Sequence, residues 1–356
     1  MNKKILVINP GSTSTKIAVY DGEQELFVTT LRHSTEEIGA FATIPDQKGF
    51  RRTLITEAME AAGVKVADLG AVIGRGGLIK HIPSGVYKVD DQMIDDIINR
   101  PLGQHASNLG ALLAADIAAE AGVEAYIADP VVVDELEPVA RLTGWAEVER
   151  TSIFHALNQK AVSRAYAESI GKPYEELNLI VVHMGGGITV GAHRQGRVID
   201  VNNGLDGEGP FSPERVGTLP ALSLAKICFS GKYTLAEVAK KINGKGGMNS
   251  LIGSNDVKKA AEDAEAGEPK AKAAIEAMCY NIGKEVGAMA AVLHGKVDAI
   301  ILTGGIAYNK MICGKITDMV GFIAPVIISP GENEMEALAA NALRVIEGRL
   351  EAKEYI

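Results

Sequence analysis

The sequence predicts an α/β fold built from two related halves, and three observations predict it. Short runs of apolar and β-branched residues alternate with longer stretches whose apolar residues recur every three or four positions, an order typical of α/β proteins. At 356 residues, the chain is long enough for two domains, since a domain averages roughly 150 residues. A glycine-rich segment near position 5 also recurs near position 179, close to half the chain length.

Seven short β-rich runs are predicted strands: Ile5–Ile8, Lys16–Tyr20, Ala71–Ile73, Ala125–Ile127, Leu179–Val182, Ala299–Leu302 and Val326–Ile328. Six periodic stretches are predicted helices: Gly49–Ala62, Asn108–Ala121, Ser152–Ile170, Leu235–Lys241, Ala271–Leu293 and Glu334–Leu350. In the last of these, apolar residues between Met335 and Ile346 form one face of a helix. The charged, alanine-rich stretch 262–272 predicts two solvated helices joined at Gly267–Pro269.

Composition excludes several classes of protein. Hydrophobic residues make up 47% and charged residues 23% of the chain, which is typical of a globular protein. A net charge of −9 argues against general nucleic-acid binding, because phosphate neutralisation dominates that affinity. No apolar run approaches the 18 residues of a membrane span, and the apolar run Ile5–Ile8 is too short for a signal peptide. Cys228, Cys279 and Cys313 follow no metal spacing, which indicates reduced, buried thiols in a cytoplasm.

The recurring segment pairs residues 5–15 with residues 179–189, and both copies read strand, glycine-rich turn, strand. Gly11 aligns with Gly185, and Thr15 aligns with Thr189. This predicts a duplicated domain with two phosphate-binding hairpins. In the first copy, Ser12, Thr13 and the backbone N–H groups would hold phosphate oxygens, and Asn9 would reach a Mg²⁺ ion or its waters. The spacing of a Walker A loop is absent, and a plain hydroxyl-rich hairpin is the alternative.

Two further glycine clusters follow predicted strands. Gly185, Gly186 and Gly187 come just after the strand Leu179–Val182, where they indicate close approach of the backbone to a ligand. A tight strand corner is the alternative. The segment Thr303–Asn309 places two glycines after another strand, at the end of a sheet where α/β proteins usually bind ligands.

Together, these motifs resemble the acetate and butyrate kinase family, within the superfamily of actin, Hsp70 and sugar kinases. The resemblance runs through the whole chain, in the family's order. It is carried by Ile8–Lys16, Gly74–Gly77, Gly103–Asn108, Asp129–Glu135, His183–Gly187, Asp206–Arg215, Thr303–Asn309 and Pro330–Met335.

The resemblance implies two duplicated actin-like ATPase domains of the ribonuclease H-like type, with ligands in an interdomain cleft. Residues 1–149 with 332–356 would form the N-terminal domain, which holds the carboxylate-binding arginine. Residues 150–331 would form the nucleotide-binding C-terminal domain. The C-terminal helix would cross back to the first domain. A cytoplasmic homodimer or larger even homo-oligomer is also implied.

The implied reaction is reversible, in-line phosphoryl transfer between ATP and a short-chain carboxylate, which gives the acyl phosphate and ADP. Butyrate is the preferred candidate among the short-chain acids. The cofactors would be ATP or ADP and Mg²⁺. A carboxylate is already ionised at pH 7 and needs no general base. The site must instead supply positive charge and alignment, because two anions have to approach each other.

Family residues match positions of this sequence one by one. Arg75 matches the substrate arginine, whose fork suits a carboxylate, although a surface ion pair is the usual role of a lone arginine. Arg215 matches the arginine at the transferring phosphoryl group, and His155 matches the histidine that hydrogen-bonds that group, although a helix-start histidine is often a cap or core residue. Asp129 matches the aspartate that orients the metal or the arginine. The remaining matches place His105 near the substrate, and at the nucleotide they place Asn9, Ser12, Thr13, Lys16, His183, Gly185, Gly186, Gly187, Gly304, Gly305 and Asn309.

Two matches leave alternatives open. The metal contacts match Asn9 and one of Glu332 and Glu334, with Glu334 preferred. Lys258 lies where related acetate kinases often carry an arginine that stacks over the adenine, so the residues that contact the adenine are left open.

Substrate size depends on Gly76 and Gly77, which stand where acetate kinases carry bulky residues. Small residues there predict room for a four-carbon tail, since each buried CH₂ contributes about 0.8 kcal/mol. Kinases for branched acids, acetate, propionate or phenylacetate are alternatives. A non-catalytic nucleotide-binding regulator of the same superfold is an alternative from another class, although Arg75, His155 and Arg215 argue against it.

Overall fold

In the computed structural model, residues 4–356 are described, and residues 1–3 of the predicted N-terminal domain lie outside this part. The chain packs as two compact units. The first unit runs to Val133 and resumes over Asn333–Ile356, and the second spans Asp134–Glu332. Residues 134–149 thus pack with the second unit, whereas the predicted domain division places them with the first. That division stays a prediction.

The strands of the described chain are β1 (Lys4–Pro10), β2 (Ser14–Asp21), β3 (Gln24–Arg32), β4 (Ala71–Arg75), β5 (Val86–Lys88), β6 (Ala125–Ala128), β7 (Asn178–Met184), β8 (Ile188–Arg194), β9 (Arg197–Val201), β10 (Ala299–Gly304) and β11 (Val326–Pro330). The helices are α1 (Thr35–Gly39), α2 (Lys48–Ala61), α3 (Asp91–Asn99), α4 (Leu109–Ala121), α5 (Pro138–Arg141), α6 (Ala156–Ser169), α7 (Ala221–Cys228), α8 (Leu235–Ile242), α9 (Gly247–Ile252), α10 (Val257–Glu265), α11 (Pro269–Val292), α12 (Lys310–Val320) and α13 (Glu334–Ile346).

The two sheets share one topology. The first unit has the order β3-β2-β1-β4-β6-β5, and the second has β11-β10-β7-β8-β9. In each, the first strand pairs antiparallel with the following hairpin strand and parallel with a later strand, β4 in one sheet and β10 in the other. The strands β1 and β7 also begin and end at equivalent positions of the sequence repeat. The prediction of two related halves is confirmed.

Each unit has its own apolar core. The first core contains the inner residues of β1, β2 and β4 together with buried faces of α2 and α4. The second lies between β7, β8 and β10 on one side and α10, α11 and α12 on the other. A smaller cluster covers the opposite face of that sheet, beneath α6. The helix α13 packs on β1 and β4, within the first unit, as the sequence predicts for the C-terminal helix.

All seven predicted strands and six predicted helices are present, and the pair joined at Gly267–Pro269 is α10 and α11. The stretch 262–272 is mostly exposed, but the two helices are not solvated as a whole, because each buries one face in the second core. The predicted helix from Ser152 begins only at Ala156, because the residues before it are extended or irregular. The strand β3 was missed because it is a half-exposed edge strand with polar ends. The prediction of three buried thiols is wrong for Cys228, which lies on α7, a helix without a buried residue. No helix within residues 4–356 has the length and apolar character to cross a membrane.

Candidate active site

The first hairpin turn, Gly11–Thr13, joins β1 to β2 in the first unit. Asn9 and Lys16 face each other across the two strands. Ser12 and Thr13 are exposed, while the Gly11 N–H closes the turn on the Ser14 carbonyl at 2.7 Å. The two hydroxyls and the turn are therefore accessible to a ligand, as predicted for a phosphate-binding hairpin. That role stays a prediction.

Arg51 on α2 fixes this turn from below, and the sequence prediction missed it. The side chain is only 1% exposed, and Nη1 donates to the Gly11 and Ser14 carbonyls at 2.8 and 3.0 Å. Burial lowers the pKa of this guanidinium to about 10, so it remains charged at neutral pH. The sequence did contain a sign that Arg51 is buried. Arg51, Ile55 and Met59 are spaced four residues apart and therefore lie on one face of the helix, the buried one.

Replacing Arg51 by methionine is expected to destabilise the protein by about 2–4 kcal/mol, because a charged hydrogen bond contributes ~1.5–3 kcal/mol and buried carbonyls would lose their donor. The loosened turn should also raise the KM for the nucleotide that this hairpin is predicted to bind. Urea unfolding and steady-state kinetics measure the two effects. Arg52→Met is the matched control, since Arg52 makes a surface ion pair with Glu120 of little expected value. Equal effects of the two substitutions would contradict the role of Arg51.

Arg75, Asn9 and Glu334 form a polar cluster in the first unit. Arg75 ends β4, Asn9 lies near the end of the neighbouring parallel strand β1, and Glu334 begins α13. Arg75 Nη1 donates to Glu334 Oε2 at 2.8 Å, and Asn9 Nδ2 donates to the same oxygen at 2.7 Å. The carboxylate also lies at a helix N-terminus, where the helix dipole favours negative charge. Three residues predicted from distant motifs are thus brought together.

The two candidate metal-binding glutamates lie in different places. Glu334 contacts Asn9, and its side chain is 13% exposed. Glu332 belongs to the second unit, its side chain is 52% exposed, and its Oε1 lies 3.9 Å from His183 Nε2. The geometry therefore associates Glu334, the preferred residue, with Asn9. Amide and carboxylate oxygens are the hard ligands that Mg²⁺ prefers, so the residue types suit the ion, and the metal-binding role of the pair stays a prediction.

The glycines around Arg75 serve close packing. A Cβ on Gly76 would lie 2.5 Å from the Pro130 Cβ, and one on Gly77 would lie 2.4 Å from Asn108 Oδ1. The space that side chains would take at these positions is therefore already filled. The sequence argument that Gly76 and Gly77 leave room for a longer acid is overturned, because it considered only the missing side chains and not the neighbours that occupy their place.

The helix α4 approaches β4 equally closely. A Cβ on Gly74 would lie 2.1 Å from the Gly110 carbonyl oxygen, and one on Gly110 would lie 2.1 Å from the Arg75 carbonyl oxygen. Two backbones in contact leave no room for any side chain. This contact fixes the backbone of Arg75.

Asp129 and His105 are both held by local hydrogen bonds. Asp129 is buried, has a positive φ of 39° and accepts from Ser84 Oγ at 2.6 Å and the Gly85 N–H at 2.9 Å. His105 is exposed, and its Nδ1 accepts from the Ser107 N–H at 3.2 Å, capping a short turn. The orienting role of Asp129 and the substrate role of His105 stay predictions.

In the second unit, His155 and His183 stack face to face. Their ring centroids are 3.8 Å apart, and the planes differ by 11°. His155 Nδ1 lies 2.9 Å from Thr189 Oγ1, and His183 Nδ1 lies 2.7 Å from Asn158 Oδ1. Thr189 occupies the same place in the second hairpin that Thr15 occupies in the first. There, Thr15 Oγ1 lies 2.9 Å from His33 Nε2. The sequence repeat predicted the equivalence of the two threonines but not their contacts.

The turn Gly185–Gly187 lies against Arg215. A Cβ on Gly187 would be only 1.7 Å from Arg215 Nη1, so the guanidinium covers this glycine. Ser212 links the two segments, since its Oγ donates to the Gly186 carbonyl at 2.7 Å and accepts from the Arg215 N–H at 3.1 Å. Burial lowers the pKa of Arg215, and Glu214 opposes that shift. The close neighbour of Gly187 in the structure is thus a side chain of the protein, and the predicted approach of this turn to a ligand stays a prediction.

The third glycine cluster borders a cavity of about 470 Å³. Gly304 needs a positive φ of 87°, and a Cβ there would lie 2.4 Å from the Met184 carbonyl oxygen. Asn309 caps α12 by accepting from the Ile312 N–H at 3.0 Å. The cavity is lined by Val257, Lys258, Glu262, Glu265, Gly305, Ile306, Tyr308 and Asn309. Its volume lies in the range typical of small-molecule sites.

Two solved structures illustrate this fold. Acetate kinase from Porphyromonas gingivalis matches with a TM-score of 0.79 at 19% identity, over 97% of this chain and 99% of that one. A hexokinase of the ROK family from Thermus thermophilus matches with a TM-score of 0.51 at 15% identity, over 97% and 100% of the two chains. These likenesses define the fold as two duplicated actin-like ATPase domains.

Sequence comparisons narrow the class to one family. The model of the acetokinase family matches residues 146–324. Butyrate kinase 1 from Clostridium acetobutylicum is 56% identical over 352 residues, which cover 99% of each chain. The chain belongs to the acetokinase family.

Proposed function

We propose that the protein is an ATP-dependent carboxylate kinase that converts butyrate and ATP reversibly into butyryl phosphate and ADP. The single observation that carries the substrate is the 56% identity with butyrate kinase 1 over 99% of both chains. The polar groups of each unit support the reaction type. Alternatives within the same chemistry are branched acids, acetate, propionate and phenylacetate.

Arg75 is the proposed partner of the substrate carboxylate. Within the described residues, its hydrogen bonds to Glu334 and Asn9 use only Nη1. The Nη2 and Nε groups, which form the flat edge of the fork, carry no hydrogen bond to the described part of the protein. That edge suits the two oxygens of a carboxylate. Glu334 holds the other side of the guanidinium and so fixes its plane.

Arg215 and His155 are the proposed contacts of the transferring phosphoryl group. The reaction needs no general base, because the butyrate carboxylate is ionised at pH 7. What it needs is compensation of the negative charge that builds up around the phosphoryl oxygens. Arg215 supplies a full positive charge, and His155 supplies a ring N–H. His183, stacked on His155, and the turn Gly185–Gly187 are proposed to contact the nucleotide phosphates.

The nucleoside of ATP is proposed to occupy the cavity beside Gly305 and Asn309. Lys258 and Tyr308 lie on its wall, so the adenine would meet an ammonium group and an aromatic ring there. The hairpin residues Ser12, Thr13 and Lys16 are the proposed phosphate contacts in the first unit.

A magnesium ion would be held by Asn9 and Glu334. When bound, it would neutralise phosphate charge, which is its usual contribution to phosphoryl transfer. The hydrogen bond from Asn9 Nδ2 to Glu334 Oε2 keeps the two side chains adjacent. Asn9 Oδ1 lies 3.4 Å from Arg75 Nη1, so it would exchange that contact for the ion.

The oligomeric state of the protein and its location in the cell are also proposed, in general terms. The helix α7 and its neighbours expose large apolar side chains, including Leu222 at 69%, Phe229 at 92% and Leu235 at 85%. Exposed apolar patches often mark protein interfaces, which supports a homodimer or larger even assembly. The proposed location is the cytoplasm.

Trapping the acyl phosphate as a hydroxamate tests the function directly. Mg·ATP is supplied with acetate, propionate, butyrate, isobutyrate or phenylacetate, and the product is measured for each acid. The highest kcat/KM is expected for butyrate. A higher value for another acid would replace butyrate and keep the chemistry. No product with any acid, while ATP still binds, would favour a nucleotide-binding regulator.

A further inference from the structure

A chain of hydrogen bonds leads from His155 into the core of the second unit. Thr189 contacts His155, Gln159 contacts Thr189, His193 contacts Gln159, and Tyr174 contacts His193. Apart from His155, these side chains are all buried, with at most 4% exposure. Of the residues in this series of hydrogen bonds, the proposed reaction uses only His155.

The direction of each hydrogen bond follows from its acceptors. Gln159 Nε2 lies 3.1 Å from the Thr189 carbonyl oxygen and 2.9 Å from its Oγ1. A carbonyl oxygen only accepts, so Nε2 is placed correctly and Gln159 Oε1 faces His193. His193 Nε2, 2.9 Å away, must then donate to that oxygen. A Cβ on Gly191 would lie 2.6 Å from Gln159 Oε1, so glycine leaves the room that this contact needs.

The other nitrogen of His193 must accept. Ser163 Oγ uses its proton on the Gln159 carbonyl at 2.7 Å, so the donor to His193 Nδ1 is the Tyr174 hydroxyl at 2.6 Å. His193 is therefore neutral, with its proton on Nε2. Burial lowers the pKa of His193 well below its usual range, and the nearby Lys160 and Arg164 lower it further.

The hydrogen bond from Gln159 to Thr189 in turn determines the direction of the hydrogen bond between Thr189 and His155. The Thr189 hydroxyl oxygen accepts from Gln159. Among the described residues, the one acceptor within reach of the hydroxyl proton is His155 Nδ1, 2.9 Å away, so we assign the proton to that hydrogen bond. A neutral His155 ring then carries its own proton on Nε2. Because Nδ1 is occupied by Thr189, a hydrogen bond from this ring to a phosphoryl oxygen has to come from Nε2.

We propose that Thr189, Gln159, His193 and Tyr174 are positioning residues that hold His155 in the Nε2–H tautomer, ready to donate to the transferring phosphoryl group. This inference rests on the proposed function for its effect on rate. Its structural part, the tautomer of His155, does not depend on turnover.

Thr189→Val removes the hydroxyl and keeps the shape, whereas Thr189→Ser keeps the hydroxyl. The valine variant is expected to lower kcat about tenfold to hundredfold, which is at or below the usual loss of a direct transition-state donor. The KM for the nucleotide should stay within about twofold, and the serine variant should restore most of the rate. Because an unfolded fraction also lowers the apparent kcat and leaves KM unchanged, each rate is divided by the concentration of protein that binds nucleotide, so that loss of stability alone no longer changes kcat.

Tyr174→Phe tests the far end of the chain and serves if the valine variant fails to fold. We expect a smaller fall in kcat, about threefold to tenfold. Tyr87→Phe is the matched control, because Tyr87 is equally buried and donates one hydrogen bond to the Pro83 carbonyl, in the other unit. It should leave kcat within about twofold.

The tautomer is read by ¹⁵N NMR of histidine-labelled protein. The seven histidines give few signals, and His155→Gln identifies the signal of His155. In the native protein, Nε2 should show the shift of a protonated nitrogen and Nδ1 that of a bare one, and Thr189→Val should mix the two forms. A native His155 protonated at Nδ1, or an unchanged kcat in both Thr189→Val and Tyr174→Phe, overturns the proposal. An Nε2–H ring in a protein that phosphorylates no acid would instead count against the proposed function.

Discussion

Replacing Arg75 by alanine is expected to lower kcat/KM for butyrate about a thousandfold. The loss of a charged, bidentate partner from a shielded carboxylate costs about 2–5 kcal/mol, and each ~1.4 kcal/mol is a factor of ten. The substitution also leaves Glu334 without its cationic partner. Hydroxamate trapping over a range of butyrate concentrations measures the loss.

Two variants separate charge from geometry in this experiment. Arg75→Lys keeps the charge and removes the fork, so a partial loss is expected. Arg349→Ala removes an exposed arginine that pairs with Glu347 two residues away and should leave the rate unchanged. If Arg75→Ala keeps its kcat/KM for butyrate and loses only nucleotide affinity, Arg75 does not bind the carboxylate.

Gly187→Ala is expected to lower kcat about a hundredfold or more with little loss of stability. The new methyl group would lie 1.7 Å from Arg215 Nη1 and 2.4 Å from its Cζ. A guanidinium at the end of a flexible side chain moves aside easily, so the fold survives and the charge is displaced. An arginine at the transferring phosphoryl group contributes 10³–10⁵ to kcat in other phosphotransferases, which makes even a partial displacement visible.

The neighbouring glycine supplies the control for this prediction. A Cβ on Gly186 would lie 3.6 Å from Glu214 Oε2, an ordinary contact, and Gly186→Ala should lower kcat much less. Arg215→Ala should lower kcat at least as much as Gly187→Ala, and the double variant should be no slower than Arg215→Ala alone, because both changes act through one side chain. Additive losses in the double variant would show that Gly187 acts on something other than Arg215.

The sequence predicted those parts of the fold that depend on local patterns. Strands with buried apolar runs, such as β7 and β10, and helices with one apolar face, such as α13, were found with correct limits to within a few residues. The edge strand β3 escaped because its residues are largely exposed. The repeat in the sequence was informative because both hairpins kept the same turn length between their strands.

The sequence indicated candidate residues for the site, whose roles stay predictions, but it did not indicate the contacts among them. Arg75, Asn9 and Glu334 were each chosen from a different motif, and only the fold brings them within hydrogen-bonding distance. Glycine is needed at position 187 because of Arg215, which is 28 residues further along the sequence, and no local pattern indicates this contact. Gly76 shows the opposite failure, since a short-range argument about its missing side chain ignored Pro130, which fills the space.

The close contact between α4 and β4 has a practical consequence for redesign of acid specificity. The volume beyond Gly74, Gly76 and Gly77 belongs to Gly110, Pro130 and Asn108, so any larger side chain there would have to move the strand that ends at Arg75. Libraries that seek longer or shorter acids should therefore keep these three codons constant. Diversity belongs at positions whose side chains border open space.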